Sequence, residues 1–433
     1  MKVQLGYLHW NATPFYWDLV ESTNFHGIIT GYSGSGKTYT INKIVQQLST
    51  MSEIQRVYIF DVHGDIGDDL PSSVCSTVDF SETAGNGINL LEISSDPKYG
   101  GPRKRINEII KTIQKTGSSA LGARQTASLS RYMKGLYASK GIYAKNPSTW
   151  SKKPPTLSDL RMFLENSLKA MELTSDLKTA MHLSRVNEQA KLIAKNAESA
   201  RDGVTEAFEK LEEYKNEAKT AFIDFVDSIK TGDEFEQIIE MKKNVTKMVE
   251  SLLDRIQLIE DAGVFNGGGL RFDGSKKIFR FDLRTLSLDE KIIFIDTMSK
   301  RIYDHAISKG ITKHAREIIV IDEASDFVDD DKDSIYNKIS IGSRKYGLGM
   351  LLASQSLHHF PDDILMNSAM KIILGVDDMY VKQVASKILV KEDQLKYLKP
   401  KVSALAMVKS KDSDAPNGWQ KINFDKKYCK NQY

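Results

Sequence analysis

The sequence predicts an α/β protein with a mostly parallel sheet, interrupted by a large α-helical insertion. Short apolar runs cluster at the front of the chain, at residues 27–30 (GIIT) and 57–60 (VYIF). Others cluster at the back, at 318–321 (IIVI), 349–354 (GMLLAS) and 371–376 (KIILGV). Runs of this kind suit strands buried on both faces, and the helical stretches between them give the βαβ pattern. The middle of the chain is different. No proline occurs between Pro155 and Pro361, and residues 157–260 are rich in Glu, Lys, Ala, Leu and Met at helical spacing. Long helices are expected there. Charges in EKLEEYKNEAKTAFIDFVDSIK alternate in a way that supports i,i+4 pairing.

The expected organisation is therefore a split core. Residues 1–100 and 265–433 build one α/β domain, the latter with a C-terminal tail, and residues 101–264 form the helical insertion. The insertion reads either as a solvated helical hairpin packed on the core or as an arm that docks a partner or another subunit.

Composition sets outer bounds. The chain has 433 residues, 41% of them apolar, which is enough for a sizeable core. A net charge of +3 does not mark the whole surface as a nucleic-acid binder, although a local basic stripe is compatible with it. The two cysteines, Cys75 and Cys429, give neither a metal spacing nor a disulfide framework, and a reducing, cytoplasmic setting is expected. The N-terminus lacks the apolar stretch of a signal peptide. No run approaches the roughly 20 apolar residues of a membrane span.

The chemistry is concentrated in two motifs. Gly31-Tyr-Ser-Gly-Ser-Gly36-Lys37-Thr38 fits G-x-x-x-x-G-K-S/T in full, after a strand and before the helical pattern YTINKIVQQL. The glycines let backbone N–H groups turn toward phosphates, and the helix N-terminus adds partial positive charge. Gly31, Ser33, Gly34, Ser35, Gly36, Lys37, Thr38 and Tyr39 are the candidate nucleotide-binding residues. Lys37 is expected to bridge the β- and γ-phosphates and Thr38 to ligate Mg²⁺, so ATP and Mg²⁺ are the implied cofactors. The second motif is the apolar run 318–321 followed by Asp322-Glu323. Asp322 would hold Mg²⁺ through water, and Glu323 would take a proton from the attacking water or orient it.

Other candidates are more open. Gln355 ends the run GMLLAS, where a polar side chain can reach the γ-phosphate or the lytic water. Arg344 and Lys345 precede that run and read either as a surface basic pair or as a guanidinium offered to a neighbouring subunit. His63, in Asp61-Val-His63-Gly-Asp65, has no spaced co-ligands and reads as a rim residue. Asp326 and the acidic residues of 329–333 read as a solvated loop. Gly101-Pro-Arg-Lys-Arg105 reads as a basic loop, either touching DNA phosphates through Arg103, Lys104 and Arg105 or merely solvated.

In this order the motifs TGYSGSGKTYT, IFDVHGDI, IIVIDEAS and SRKYGLGMLLASQS resemble the HerA/FtsK superfamily of ring-shaped DNA-pumping ATPases, most nearly its HerA branch. The resemblance implies a RecA-like P-loop NTPase core and Lys37, Thr38, Asp322 and Glu323 in the roles above. It also implies Gln355 as a sensor and Arg344 acting in trans. It further implies ATP hydrolysis by a homo-oligomer, a hexamer in that family, acting on double-stranded DNA beside a nuclease or other effector. Such work would lie in DNA processing or defence against foreign DNA. An ATPase of a conjugation or type IV secretion machine, and a regulatory ATP switch that moves no DNA, are the alternatives. Two departures stand out. Asp65 replaces the usual Glu, and the P-loop begins at residue 31, where the family carries a small β-barrel first.

Overall fold

Eleven strands among the described residues form a single sheet in this computed structural model, which describes residues 1–67, 70–80, 85–116, 121–173, 177–201, 205–228, 234–411 and 418–429. They are β1 (Lys2–Leu8), β2 (Pro14–Asp18), β3 (Gly27–Thr30), β4 (Arg56–Asp61), β5 (Cys75–Asp79), β6 (Ile278–Asp282), β7 (Glu317–Ile321), β8 (Leu348–Ser354), β9 (Met370–Ile373), β10 (Ser403–Val408) and β11 (Gln420–Asn423). Their order is β2-β1-β11-β10-β9-β3-β8-β7-β4-β6-β5. From β9 to β5 the neighbours are parallel, and from β9 to β2 they are antiparallel.

The helices are α1 (Lys37–Thr50), α2 (Pro102–Gln114), α3 (Ala123–Ser139), α4 (Leu157–Leu173), α5 (Leu177–Arg201), α6 (Thr205–Asp227), α7 (Glu234–Asp261), α8 (Leu288–Ser308), α9 (Ile335–Gly342), α10 (Asp362–Met366), α11 (Val381–Ile388) and α12 (Glu392–Lys396). The long helices expected over 157–260 are α4 to α7. None of the described helices is long and apolar enough to cross a membrane.

The chain divides into two compact units. One comprises residues 1–88, 111–120 and 267–433 and contains the whole sheet. Every residue of β3, β7, β8 and β9 is buried, which explains their unbroken apolar runs. Helix α1 buries Ile41, Ile44, Val45 and Leu48, one stripe at helical spacing, in a core shared with Ile29, Val57 and Val320. Phe60 and Phe281 stack at 4.9 Å between ring centroids, and Phe294 of α8 meets both edge-on. A capping box starts α8: Ser287 Oγ accepts from Glu290 N, and Glu290 Oε2 accepts from Ser287 N.

The other unit comprises residues 89–110 and 121–266. Arg161 of α4 ties α7 through Glu260, at 2.6 Å. Helices α5 and α6 pack on each other, with Leu211 buried against Ile193 and Ala197.

One reading of the sequence is corrected here. Gly101-Pro-Arg-Lys-Arg105 is not a loop, because Pro102 starts α2, its fixed φ being suited to a first helical turn. Arg105 is buried, its Nε donates to Leu90 O at 2.7 Å and it pairs with Glu108, so it faces no solvent. Arg103 and Lys104 stay exposed. The acidic stretch 329–333 is a largely exposed loop, as the sequence suggests, and two lysines pair with it. Lys115 reaches Asp329 at 2.9 Å and Asp296 at 3.2 Å, and Lys111 reaches Asp333 at 2.9 Å. Tyr336 also donates to the buried Asp296, at 2.7 Å.

Candidate functional site

Three strand ends arrive together at one edge of the sheet. Thr30 of β3 stands opposite Ser354 of β8, and Ile321 of β7 opposite Leu352. The segments that follow them therefore emerge side by side: the loop from Gly31, Gln355, and the pair Asp322-Glu323. Gly31 N donates to Ser354 O at 3.2 Å, hooking the loop onto the middle strand.

The loop depends on two glycines. A Cβ on Gly31 would strike Ser35 Oγ and lie 2.9 Å from Leu374 Cβ. Gly36 has φ 104°, in the left-handed region, and caps α1 with no side-chain hydrogen bond. The first N–H groups of α1 thus have no side-chain acceptor, and helix geometry leaves them without a backbone one. Together with the helix dipole they make a cradle for an anion. Ser35 is fully buried, and its Oγ has no hydrogen-bond partner. Thr38 lies half-buried in the first turn, while Ser33, Gly34 and Tyr39 are exposed.

Lys37 connects the loop to the acidic pair. Its Nζ donates to Gly31 O at 2.9 Å and lies 3.8 Å from Glu323 Oε1, with both side chains about nine-tenths buried. Glu323 adopts φ 45°, ψ 45°, a left-handed conformation rare for a side chain of its size. Burial, then the neighbouring Glu323, pushes the Asp322 carboxyl up to about 6, against the pull of His63 and Lys37. Two adjacent, largely buried carboxylates share a single lysine ion pair, Lys37–Glu323. A divalent cation carried in with a phosphate fits such a pair. Among the described residues, no three His, Cys, Asp or Glu side chains are grouped to hold a metal by themselves. The residues present therefore fit a nucleotide-borne cation, which Thr38 and Asp322 would hold.

His63 is exposed and near enough to Asp322 to act on its carboxyl. Its turn is braced by a residue that sequence reasoning passed over. Arg280 of β6 donates to Asp61 Oδ2 from two nitrogens, at 2.9 and 2.6 Å, and to Gly64 O at 2.9 Å. Gln355 is exposed beside the loop. Arg344 is elsewhere. It opens a short turn, Arg344–Tyr346, before the amino end of β8. The seven residues of that strand put roughly 23 Å between it and the edge where the other groups meet. Its guanidinium is exposed and makes no ion pair with a described residue. One more residue touches the loop without any motif to announce it: Lys401, whose backbone N donates to Ser35 O at 3.2 Å.

A glycine-rich loop between a buried parallel strand and a helix, with an acidic pair two strands away, defines a P-loop NTPase with a RecA-like core. Residues 3–262 match the family described as "Helicase HerA, central domain", and the chain belongs to that family. It is a HerA-like P-loop ATPase. No curated protein matches it in sequence. Among solved structures it is similar to VirB4 of Thermoanaerobacter pseudethanolicus, at 13% identity and a TM-score of 0.65, over 98% of this chain and 95% of that one. It is also similar to the bacterial conjugative coupling protein TrwB in unbound form, at 11% identity and a TM-score of 0.54, over 98% of this chain and 88% of that one. TrwB in complex with a non-hydrolysable ATP analogue gives 11% identity and a TM-score of 0.52, over 92% and 85%. At these identities the likeness is one of fold.

Proposed function

We propose that this chain is an ATP-hydrolysing DNA translocase that works as a homo-oligomeric ring, a hexamer, in a cytoplasmic setting. The observation that carries the ATPase part is the approach of Lys37 Nζ at the start of α1 to Glu323 Oε1 just beyond β7, 3.8 Å apart. The cradle of Gly31, Ser33, Gly34, Ser35, Gly36, Lys37, Thr38 and Tyr39 binds the phosphates of ATP. Thr38 and Asp322 would hold the Mg²⁺ that comes with them, which would supply positive charge beside the transferred phosphoryl group. Lys37 leaves Glu323 and Gly31 O for the phosphates. Glu323, freed, accepts the proton of the attacking water. Gln355 orients that water or senses the γ-phosphate. Arg344 serves the site of a neighbouring subunit.

Membership in a helicase family supports duplex DNA as the substrate, and a nuclease or other effector is the partner class this reading carries. The fold likeness to VirB4 and to a conjugative coupling protein, over nearly the whole chain, favours a second reading as the ATPase of a conjugation or secretion machine. One experiment separates these readings from a mere ATP switch. ATP turnover is measured with and without duplex DNA, alongside displacement of a triplex-forming strand. Stimulated turnover with displacement supports the motor, and DNA-independent turnover without displacement rejects it. Lys37→Ala serves as the dead control.

A further inference from the structure

Lys401 lies outside every motif, yet the fold places it against the P-loop. It precedes β10 and has φ 60°, a left-handed conformation that residues with a side chain seldom adopt. The hydrogen bond from its backbone N to Ser35 O ties it to the middle of the loop, at 3.2 Å. Its aliphatic stem lies along Gly36: a Cβ on that glycine would sit 3.4 Å from Lys401 Cγ. The residue is exposed, and its ammonium makes no ion pair with a described carboxylate.

The sheet order says which end of a nucleotide it would meet. The order β10-β9-β3-β8-β7 puts the acidic pair two strands to one side of the P-loop strand and the lead-in to β10 two strands to the other. Lys37 leans toward Glu323, so the γ-phosphate end of the cradle faces β7. The opposite flank is left for the α- and β-phosphates.

We propose that Lys401 is a second phosphate-binding lysine of this site, contacting the α- and β-phosphates from the flank opposite Asp322-Glu323. This rests on the nucleotide reading of the P-loop given above. A plain turn residue in this conformation would more suitably be glycine or asparagine. A lysine here accepts an awkward backbone and carries an exposed, unpaired charge on a side chain whose stem lies against Gly36, the residue before α1.

The test uses the full chain with three variants, Lys401→Gly, Lys401→Arg and Lys37→Ala. Binding of Mg-ADP and of a non-hydrolysable Mg-ATP analogue is measured by calorimetry, with kcat and KM for ATP. Lys401→Gly keeps the backbone donor and relieves the left-handed strain, so its Tm stays at or above that of the wild type. It should bind both nucleotides about tenfold more weakly, the loss of one charge-assisted hydrogen bond. KM rises by the same factor while kcat stays within about twofold, since the contact is equal in ground and transition states. Lys401→Arg restores most of the affinity. The proposal is overturned if Lys401→Gly binds both nucleotides as the wild type does while Lys37→Ala loses them; the P-loop reading then stands alone. It is also overturned if only the ATP analogue is affected, or if Lys401→Arg fares as badly as Lys401→Gly. Should the wild type bind neither nucleotide, the P-loop reading and this one fall together.

Discussion

Arg344 is where the proposed ring is most exposed to disproof. Roughly 23 Å of β8 separates it from the edge that carries its own chain's P-loop. An extended arginine side chain covers only a fraction of that, so it cannot reach a γ-phosphate in cis. If it acts at all, it acts on another copy. Arg344→Ala should then lower turnover at least about a thousandfold, the lower end for a guanidinium that meets transition-state charge, with nucleotide affinity retained. Glu323→Gln should be inactive for a separate reason, in the chain's own site. Mixing the two inactive proteins tests the geometry. An interface works when its site comes from an Arg344→Ala subunit and its arginine from a Glu323→Gln subunit. In a random equal mixture each condition holds about half the time, so about a quarter of interfaces are competent. Steady-state ATP turnover of the exchanged mixture should recover toward that fraction of wild type, and should vanish on dilution below the assembly concentration. A mixture no more active than its components, or full turnover by a lone chain at high dilution, refutes the reasoning.

The structure has other consequences. Glu323→Gln should slow hydrolysis by about 10²–10⁴-fold while Mg-ATP still binds, read by single-turnover assay against equilibrium binding; wild-type turnover would remove Glu323 as the base. Lys371, buried in β9 and donating to Ser368 O at 2.6 Å, has its ammonium pulled down to about 7 by burial and then by Lys409. The unfolded chain holds that proton more tightly, so stability is lost as pH falls from the ordinary lysine value toward 7, by at most about 5 kcal/mol. Lys371→Met should therefore raise Tm at pH 6 and gain little at pH 10, and a pH-independent difference would contradict this. Duplex DNA binding should weaken steeply with salt, and replacing exposed Arg103 and Lys104 by Ala should flatten that slope without altering basal turnover. An unchanged slope in filter binding would clear that helix turn of any DNA role.

What was legible in the sequence tracks how each element is buried. Strands β3, β7, β8 and β9 are covered on both faces, so composition alone exposes them. Strand β1 reads KVQLGYL with mixed burial, and β11 is four residues of QKIN, half of them buried; neither carries a clean period. Strand β6 hides for another reason: Arg280 sits mid-strand, 6% exposed, which looks polar until Asp61 is found beside it. The P-loop and Asp322-Glu323 were readable because their chemistry is fixed by short local spacing. The Arg280 brace and Lys401 were not, because each depends on sheet register joining residues more than two hundred positions apart. The basic run at 103–105 misled because charge suggests solvent. Pro102 was the available signal that a helix begins there.

Backbone conformation ties the two flanks of the cradle together. Among the described non-glycine residues, four have positive φ: Ala12, Glu323, Leu389 and Lys401. Two of these border the P-loop, one on the side of β7 and one before β10. Each such residue costs on the order of 1–2 kcal/mol, so the surroundings must impose it. For Glu323 the conformation comes two residues after the end of β7, and its carboxylate lies 3.8 Å from Lys37 Nζ. For Lys401 the hydrogen bond to Ser35 O sets it. Both strained residues lie against one loop, from opposite sides; Glu323 belongs to the acidic motif and Lys401 to none. A fold under selection for stability alone would place glycine at both points. Keeping Glu and Lys there is understandable when their side chains act on what the loop holds, the γ end on one flank and the α and β end on the other.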